Sequence, residues 1–522
     1  MAKMARMLLL AGCAAVLSDS LLATTYYIDF GAGSDSSAGT SKSAPWQHAP
    51  GMTGCTANCA STTPKPGDSF ILKGGVTWPS SALGWDWTWK GSGSTSTPGC
   101  TGTGCIYIGV DQTWYAGSAW SRPVLNAGAK AVSTTAAGSN VIFRCYCNYV
   151  KIDNIEFTGL YWTGHPSYGS SVNLAIAGGS PGIGVGVEIE NIYIHGWSHN
   201  SAASGAYEHT CSITGDTATP NNNANTWLHD SVISGADTAQ DSCSAVFGGP
   251  PIISNNVMEY VSSCMIINGP STVHDNLCQN VVHSFDSTAH ENGLEINASL
   301  NVTIYNNVFR HIGSGSLTLW CAPNKGYSCY IFNNVIYDTD INNVLDMAAS
   351  LVTSPSGSEY LWNNTVECGP DGNPGAVCAA GINSAVAAVT LQNNHFISNA
   401  TSYWNTGGVV PTLVTNVLQS KAAAIGQGYA AAQAFGFSPT QPYPQSATQG
   451  QGTSAAALCA TTGVLACLSD TTFAVAYDTS THSVTFPART PNQRPSTGAW
   501  DVGAYQFLFK PDAPQSLTGV PR

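Results

Sequence analysis

Charge is what this chain has least of. Of 522 residues only 17 are Lys or Arg and 30 are Asp or Glu, which makes 9% charged and a net charge of −13. The cations are too few and too scattered to form the basic stripe that a phosphate backbone requires, so nucleic acid is excluded as a partner. A shortage of Glu and Lys also argues against a helical bundle, and long helices should be scarce. The apolar run from Met7 to Leu17 is too short to span a bilayer, which takes roughly 20 residues. With Lys3 and Arg6 before it and small residues after it, the run reads as an export signal, with cleavage expected after Ala23. Leu10-Ala11-Gly12-Cys13 also fits a lipobox, but the apolar stretch ahead of Cys13 is short for one. Neither transmembrane anchoring nor a lipid anchor at Cys13 is expected. Zinc-finger spacing is missing as well: Cys145-x-Cys147 has no CxxC partner and no flanking His at the required intervals.

What the chain does have is Gly (54 residues), many Asn, Ser and Thr, and 17 Cys. Leaving Cys13 aside, an even number of cysteines remains. Many fall in neighbouring pairs: Cys55/Cys59, Cys100/Cys105, Cys211/Cys243, Cys264/Cys278, Cys321/Cys329, Cys368/Cys378 and Cys459/Cys467. Local disulfides formed in an oxidising compartment are expected, and with them a secreted or cell-surface location.

One pattern organises the sequence: apolar, any, Asn or Asp, often a second Asn, any, apolar. It occurs at Ile152-Asp153-Asn154, Ile189-Glu190-Asn191, Leu228-His229-Asp230, Ile253-Ser254-Asn255-Asn256 and Val273-His274-Asp275-Asn276. It continues at Ile304-Tyr305-Asn306-Asn307, Ile331-Phe332-Asn333-Asn334, Leu361-Trp362-Asn363-Asn364 and Leu391-Gln392-Asn393-Asn394. The intervals are too regular for chance and too uneven for tight helical repeats. A parallel β-helix tolerates them, because only its short strands must stay in register while the loops between them grow. Apolar residues two apart share one face of a strand and should fill the interior. Asn between two strands can take the left-handed conformation, and stacked amides can bond from coil to coil.

The opening Tyr26-Tyr27-Ile28-Asp29-Phe30, Gly39-Thr40, Pro45-Trp46 and Pro66-Gly67-Asp68-Ser69-Phe70-Ile71-Leu72 resembles the start of secreted pectate-lyase-like β-helix proteins. The stretch Arg494 to Tyr505 resembles the tail that often closes such chains. The resemblance covers most of the mature chain. It implies an all-β, single-stranded right-handed parallel β-helix with N- and C-terminal caps, within a superfamily of lyases, hydrolases, epimerases and adhesins. The expected parts are a signal (1–23), an N-terminal cap and first coils (24–140), a regular core (141–405), and last coils with a C-terminal cap (406–522). A monomer is expected.

Since a β-helix buries its inward residues, chemistry must lie on an outward row or on the loops beside it. Asn292-Gly293-Leu294-Glu295-Ile296-Asn297 reads as a strand with Glu295 outward, followed in later coils by Ser316 to Trp320 and Val344 to Ala348. In that frame Glu295, Thr318 and Asp346 form one outward column, with Asn297 and Trp320 beside it. Two carboxylates two coils apart suit the acid and base of an inverting glycosidase, and Trp320 offers a sugar ring an apolar face. Outward carboxylates that merely keep the surface soluble fit the same pattern. His283, Asp286, His290 and Glu291 precede the column, with Arg310 and His311 one turn later and Asp338 one coil beyond. Such density of titratable groups is usual at a site, although a hydrated loop with a His–Asp surface pair would look alike.

A polysaccharide lyase is the second reading. Elimination from a uronate needs a base and a cation, and Arg310 and Lys325 are the only Lys or Arg between Lys151 and Lys421. Ca²⁺ is the one cofactor left open, with Asp286, Glu291, Asp338 and Asp340 as oxygen donors. The third reading is a non-catalytic glycan-binding or adhesion protein. There Trp78, Trp85, Trp87, Trp89, Trp114 and Trp120 would form an aromatic platform, though such a run more often packs a cap onto a solenoid's end. In every reading the partner is a polysaccharide.

Overall fold

The computed structural model describes residues 23–83, 87–94, 104–129, 141–162, 174–178, 184–199, 213–214, 226–237, 244–248, 251–281, 292–299, 301–312, 319–323, 325–339, 343–346, 357–368, 377–380, 387–404, 409–426, 447–463, 465–470 and 472–506. Among them helices reach six residues at most, and no helix is long and apolar enough to cross a membrane.

After the first coil, which runs from Thr25–Ile28 to Ser69–Leu72 within one sheet, the chain visits three parallel sheets in turn. Among the described residues sheet I has ten strands, from Trp87–Trp89 to Val377–Ala380. Sheet II has thirteen, from Thr25–Ile28 to Thr412–Val414, and sheet III has twelve, from Thr77–Pro79 to Val417–Gln419. The chain is therefore a right-handed parallel β-helix. Coils begin at Thr25 and run to Gln419, more than the nine that the Asn pattern marks.

The interior follows the two-residue period. On sheet II, Ile152, Ile189, Leu228, Ile253, Val273, Ile304, Ile331, Leu361 and Leu391 are register partners in one inward column. On sheet III the column is Phe157, Ile194, Ile233, Met258, Cys278, Phe309, Ile336, Val366 and Phe396. All lie in one core with exposures of 1% or less, so each adds about 1.5–3 kcal/mol of burial.

From Asp153 onward, sheet II passes to sheet III through two residues every time. The first residue of each pair is left-handed: Asn154, Asn191, Asp230, Asn255, Asp275, Asn306, Asn333, Asn363, Asn393 and Thr415 have φ between 49° and 58°. Asn and Asp dominate because few other side chains tolerate that region. Thr415 is a tenth turn that a search for Asn or Asp does not find. The second residue does different work. Asn256, Asn276, Asn307, Asn334, Asn364 and Asn394 each donate Nδ2 to Oδ1 of the next, ending on Asn416, with every step at 3.0 Å. Each backbone N–H joins the same acceptor at 3.0–3.1 Å. A single file of amides thus runs along this corner from Asn256 to Asn416.

Residues 447–506 form an arm laid over that corner. Three antiparallel pairings make it a long hairpin: Gly452–Thr453 with Ala499–Trp500, Leu468–Ser469 with Asn492–Gln493, and Ala476–Asp478 with Ser483–Thr485. Thr453 bonds Asn393, Leu468 and Arg494 bond Asn333, Ala474 bonds Asn306, and Arg489 pairs with Asp275. At the tip His482 stacks on Tyr193 at 4.4 Å, and Arg122 donates to the carbonyl of Thr481. Arg494, fully buried, donates its guanidinium to the carbonyls of Gly503 and Ala504, while its backbone N–H bonds the Cys467 carbonyl on the other leg.

Disulfides join Cys55–Cys59, Cys145–Cys147, Cys264–Cys278, Cys321–Cys329 and Cys459–Cys467. Cys105 and Cys368 are also disulfide-bonded. Trp78, Trp87, Trp89 and Trp114 are buried at the N-terminal end, as packing residues rather than an open platform. Trp85 lies outside the described residues.

Candidate functional site

Loop length separates the three corners. The sheet II to sheet III corner is closed by its two-residue turns and covered by the arm. Connections from sheet III to sheet I range from the three residues between Glu259 and Ser263 to the eighteen between Ile194 and Ile213. Those from sheet I to sheet II range from two, between Asn268 and Ser271, to sixteen, between Trp89 and Ile106. Sheet I is thus the face with variable loops on both sides, the usual place for function on a rigid scaffold.

Its outward column, rung by rung, is Thr88, Arg144, Ala177, Thr214, Phe247, Ile266, Glu295, Trp320, Asp346 and Ala380. Glu295 and Asp346 stand two rungs apart, about 9.6 Å at the backbone. The residue between them is Trp320, which replaces the expected Thr318; Thr318 itself lies outside the described residues. Leu294 and Leu319 are partners in the inward row, so the slip is two residues and keeps the same face outward. Glu295 faces away from the core yet is only 5% exposed. The fully buried Asn292 donates Nδ2 to its Oε2 at 2.7 Å, a contact that fixes the carboxylate's orientation. Asn297 pairs in register with Asn268 on the same sheet.

The other expected residues are not gathered on this column. His283, Asp286, His290, Glu291 and Asp340 lie outside the described residues. Arg310 is on sheet III, in an outward row with Ser234, Glu259, Gln279 and Tyr337. There it is engaged: Nε donates to Gln279 Oε1 at 2.6 Å, Gln279 donates to Glu259 at 2.6 Å, and Nη1 reaches the Tyr337 hydroxyl at 3.3 Å. His311 and Asp338 form an exposed pair at 3.2 Å on sheet III. Both are left-handed, at one bulge position shared with Tyr260 and Asn280. Lys325 is exposed in the turn that follows the Trp320 strand, from sheet I to sheet II.

A second constellation was not anticipated. On the outer face of sheet II, Lys151, Glu188 and Trp227 are register partners, as are Asp153, Glu190 and His229. His229 Nε2 lies 3.0 Å from Glu188 Oε1 and 3.2 Å from Glu190 Oε2, and its Nδ1 is 2.9 Å from Asp230. Lys151 Nζ is 2.7 Å from Glu190 Oε1 and 3.3 Å from Glu188 Oε1. Trp227 stacks on the imidazole at 3.8 Å. Burial raises Glu190 to about 7, against the pull of Lys151. Burial also opposes the charge on Glu188, but the His229 bond and Lys151 outweigh it and hold that carboxyl near 2. His229 is raised to about 9, since its bonds to Asp230 and Glu188 exceed the cost of burial. The signal was present in the repeat itself: Asp153, Glu190 and His229 each immediately precede the left-handed turn residue, so aligning the copies stacks them.

At the arm's tip a cleft of about 480 Å³ is lined by Trp120, Arg122, Glu156 and His482, among others. Beside it His195 bridges Glu156 at 3.0 Å and Asp237 at 2.6 Å.

No family model matches the chain, and no curated protein matches it. Solved structures do. A GH136 lacto-N-biosidase from Eubacterium ramulus is 11% identical over 76% of this chain and 68% of its own, with a TM-score of 0.49. Pectate lyase Pel9A is 13% identical over 92% and 96%, with a TM-score of 0.36. A rhamnogalacturonan lyase is 13% identical over 75% and 87%, with a TM-score of 0.35. At these values no residue role or activity is transferred, and the fold rests on the chain's own strand register.

Proposed function

We propose that this is a secreted glycan-cleaving β-helix enzyme that hydrolyses glycosidic bonds along the outer face of sheet I, with Glu295 and Asp346 as its acid and base. The observation that carries the reading is the register Glu295–Trp320–Asp346. It puts two carboxylates about 9.6 Å apart at the backbone, close to the roughly 6.5–9.5 Å that an inverting mechanism uses to admit water. Trp320 holds the register position between them and would offer a sugar ring an apolar face. One carboxylic acid protonates the glycosidic oxygen as the bond to the anomeric carbon breaks, and the other carboxylate takes a proton from the attacking water. Their order is open.

Hydrolysis is favoured over elimination by the position of the cations. In this column the described cation is Arg144, five rungs from Glu295, about 24 Å away at the strand spacing. That is too far to neutralise a uronate bound at Glu295, and Arg310 is engaged on another sheet, so elimination would have to draw on Lys325, exposed in the turn after the Trp320 strand. The decisive experiment incubates the mature protein with a panel of neutral and uronic-acid polysaccharides, with and without Ca²⁺, and reads reducing ends and unsaturated-uronate absorbance together. New reducing ends without that absorbance, lost in Glu295→Gln and Asp346→Asn, support the proposal. Absorbance at the uronate band selects the lyase. Binding with neither signal selects an adhesion protein, and cleavage retained by both variants removes the assignment.

A further inference from the structure

Glu188, Glu190 and His229 bring three ligand atoms within 4.8 Å of one another on the outer face of sheet II. We propose that they form a binding site for one first-row divalent cation, Zn²⁺ foremost, with His229 Nε2, Glu188 Oε1 and Glu190 Oε2 as ligands. Four features support it.

The first is the spacing. Zn²⁺ bound at 2.0–2.1 Å in tetrahedral geometry separates its ligand atoms by about 3.3 Å, and the imidazole nitrogen lies 3.0 and 3.2 Å from the two carboxylate oxygens. Second, a protonated imidazole has one Nε2–H to offer, and here two oxygens converge on that nitrogen at nearly equal range. A metal ion bonds to all three atoms at once. Third, Asp230 holds Nδ1 at 2.9 Å. That carboxylate–histidine arrangement fixes the tautomer that presents an unprotonated Nε2 to a metal. Fourth, the local charge is unbalanced. Four carboxyl groups, Asp153, Glu188, Glu190 and Asp230, face two cationic side chains, Lys151 and His229, so the fully ionised group carries two excess negative charges. Replacing the imidazole proton with a divalent ion reduces the net excess from two negative charges to one.

Lys151 is compatible with the site. It approaches Glu190 through Oε1 at 2.7 Å and leaves Oε2 to the imidazole, and its four-carbon stem is flexible enough to withdraw from the shared Glu188 oxygen. A histidine ligand selects Zn²⁺ or a neighbouring transition ion over Ca²⁺, which takes oxygen donors. Glu188 and His229 are buried, while Lys151 and Glu190 keep 24% and 14% side-chain exposure, so the site is open to solvent on their side.

The test uses tag-free full-length protein treated with chelator and titrated with Zn²⁺, Co²⁺ and Ca²⁺. The readouts are calorimetry, metal content after dialysis and the visible absorption of bound Co²⁺. The expected result is one equivalent of Zn²⁺, undisturbed by an equal concentration of Ca²⁺, and a Co²⁺ spectrum of low coordination number. Binding should vanish in His229→Gln and weaken about 10- to 100-fold in Asp230→Asn, which removes only the supporting carboxylate. Asp230→Asn keeps all three ligands and serves if His229→Gln does not fold, as judged by circular dichroism without metal. Absence of saturable binding by the unaltered protein overturns the proposal. So does unchanged affinity and stoichiometry in folded His229→Gln, or in Asp230→Asn where His229→Gln does not fold.

Discussion

Asn334→Ala tests the amide file at its middle. Nδ2 of Asn334 donates to the carbonyls of Ile304 and Phe332 and to Asn364 Oδ1, all at 3.0–3.1 Å. Its Oδ1 accepts both the backbone N–H and the Nδ2 of Asn307 at 3.0 Å. After truncation Asn307 Nδ2 keeps the carbonyls of Val273 and Tyr305, but the Asn307 backbone N–H, fully buried, has lost its acceptor. One orphaned buried donor costs about 1–3 kcal/mol, and the lost bonds add about 1 kcal/mol each where nothing replaces them, so roughly 3–5 kcal/mol is expected. A solenoid need not unfold in one step, which makes amide hydrogen exchange at Asn307 a sharper assay than a melting curve. Its protection should fall by roughly two to three and a half orders of magnitude, at 1.4 kcal/mol per decade. Asn334→Asp should be worse at neutral pH, because an acceptor-only carboxylate would face three acceptors, and should recover partly as acid protonates it. A loss below about 1 kcal/mol in Asn334→Ala would show that the file is incidental to stability.

Four further outcomes follow. Glu295→Gln and Asp346→Asn should each lower kcat about 100- to 10,000-fold on any polysaccharide the protein cleaves, whereas Trp320→Ala should act mainly on KM; steady-state kinetics separate the two. His195 is raised to about 9, because its bonds to Asp237 and Glu156 outweigh the burial that opposes its charge. Its contribution is therefore complete below the unfolded value near 6.5 and is lost as pH rises through about 9. Denaturation across that window should show a slope that flattens in His195→Gln, and equal slopes would refute the assignment. Arg494→Met should release the arm by removing the buried donor shared by Asn333 and the carbonyls of Gly503 and Ala504, at about 1 kcal/mol or more for each acceptor left without it, and limited proteolysis should then cut within 447–506 first. Phe309→Ala, at 0% exposure in the sheet III interior, should cost about 3–5 kcal/mol in urea unfolding.

The coil architecture was legible because the left-handed corner restricts residue choice, and Asn or Asp marks nine of its ten occurrences. Thr415 escaped because backbone geometry, not side-chain identity, is what the corner requires. The amide file was half legible: sequence shows paired Asn, but only stacking shows that the first sets the bend and the second carries the bonds. The register row through Glu295 and Asp346 was legible because apolar neighbours two apart fix the parity of a strand. Rung assignment failed at Thr318 because a slip of two residues preserves that parity, and nothing local to the strand distinguishes the two registers. Arg310 was drawn to the site by its scarcity as a cation, while its partners Gln279 and Tyr337 lie one coil away on each side, at separations a linear reading does not connect. The Glu188, Glu190 and His229 group was missed although aligning the turns stacks Glu190 on His229, because the repeat was read for its apolar and Asn positions and not for the polar residue between them.

The arm that contacts the turns at Asn393, Asn333, Asn306 and Asp275 also works as a gauge. Solenoids ordinarily lengthen or shorten by duplicating or deleting a coil, since each coil meets only its neighbours. Here one added coil between Asp275 and Asn393 would displace every contact beyond it by about 4.8 Å, and a hairpin of fixed length could no longer reach both Thr453's partner and Tyr193. The number of coils in this stretch is therefore locked, and variation among descendants of this sequence should appear as loop exchange beside sheet I, not as change in length.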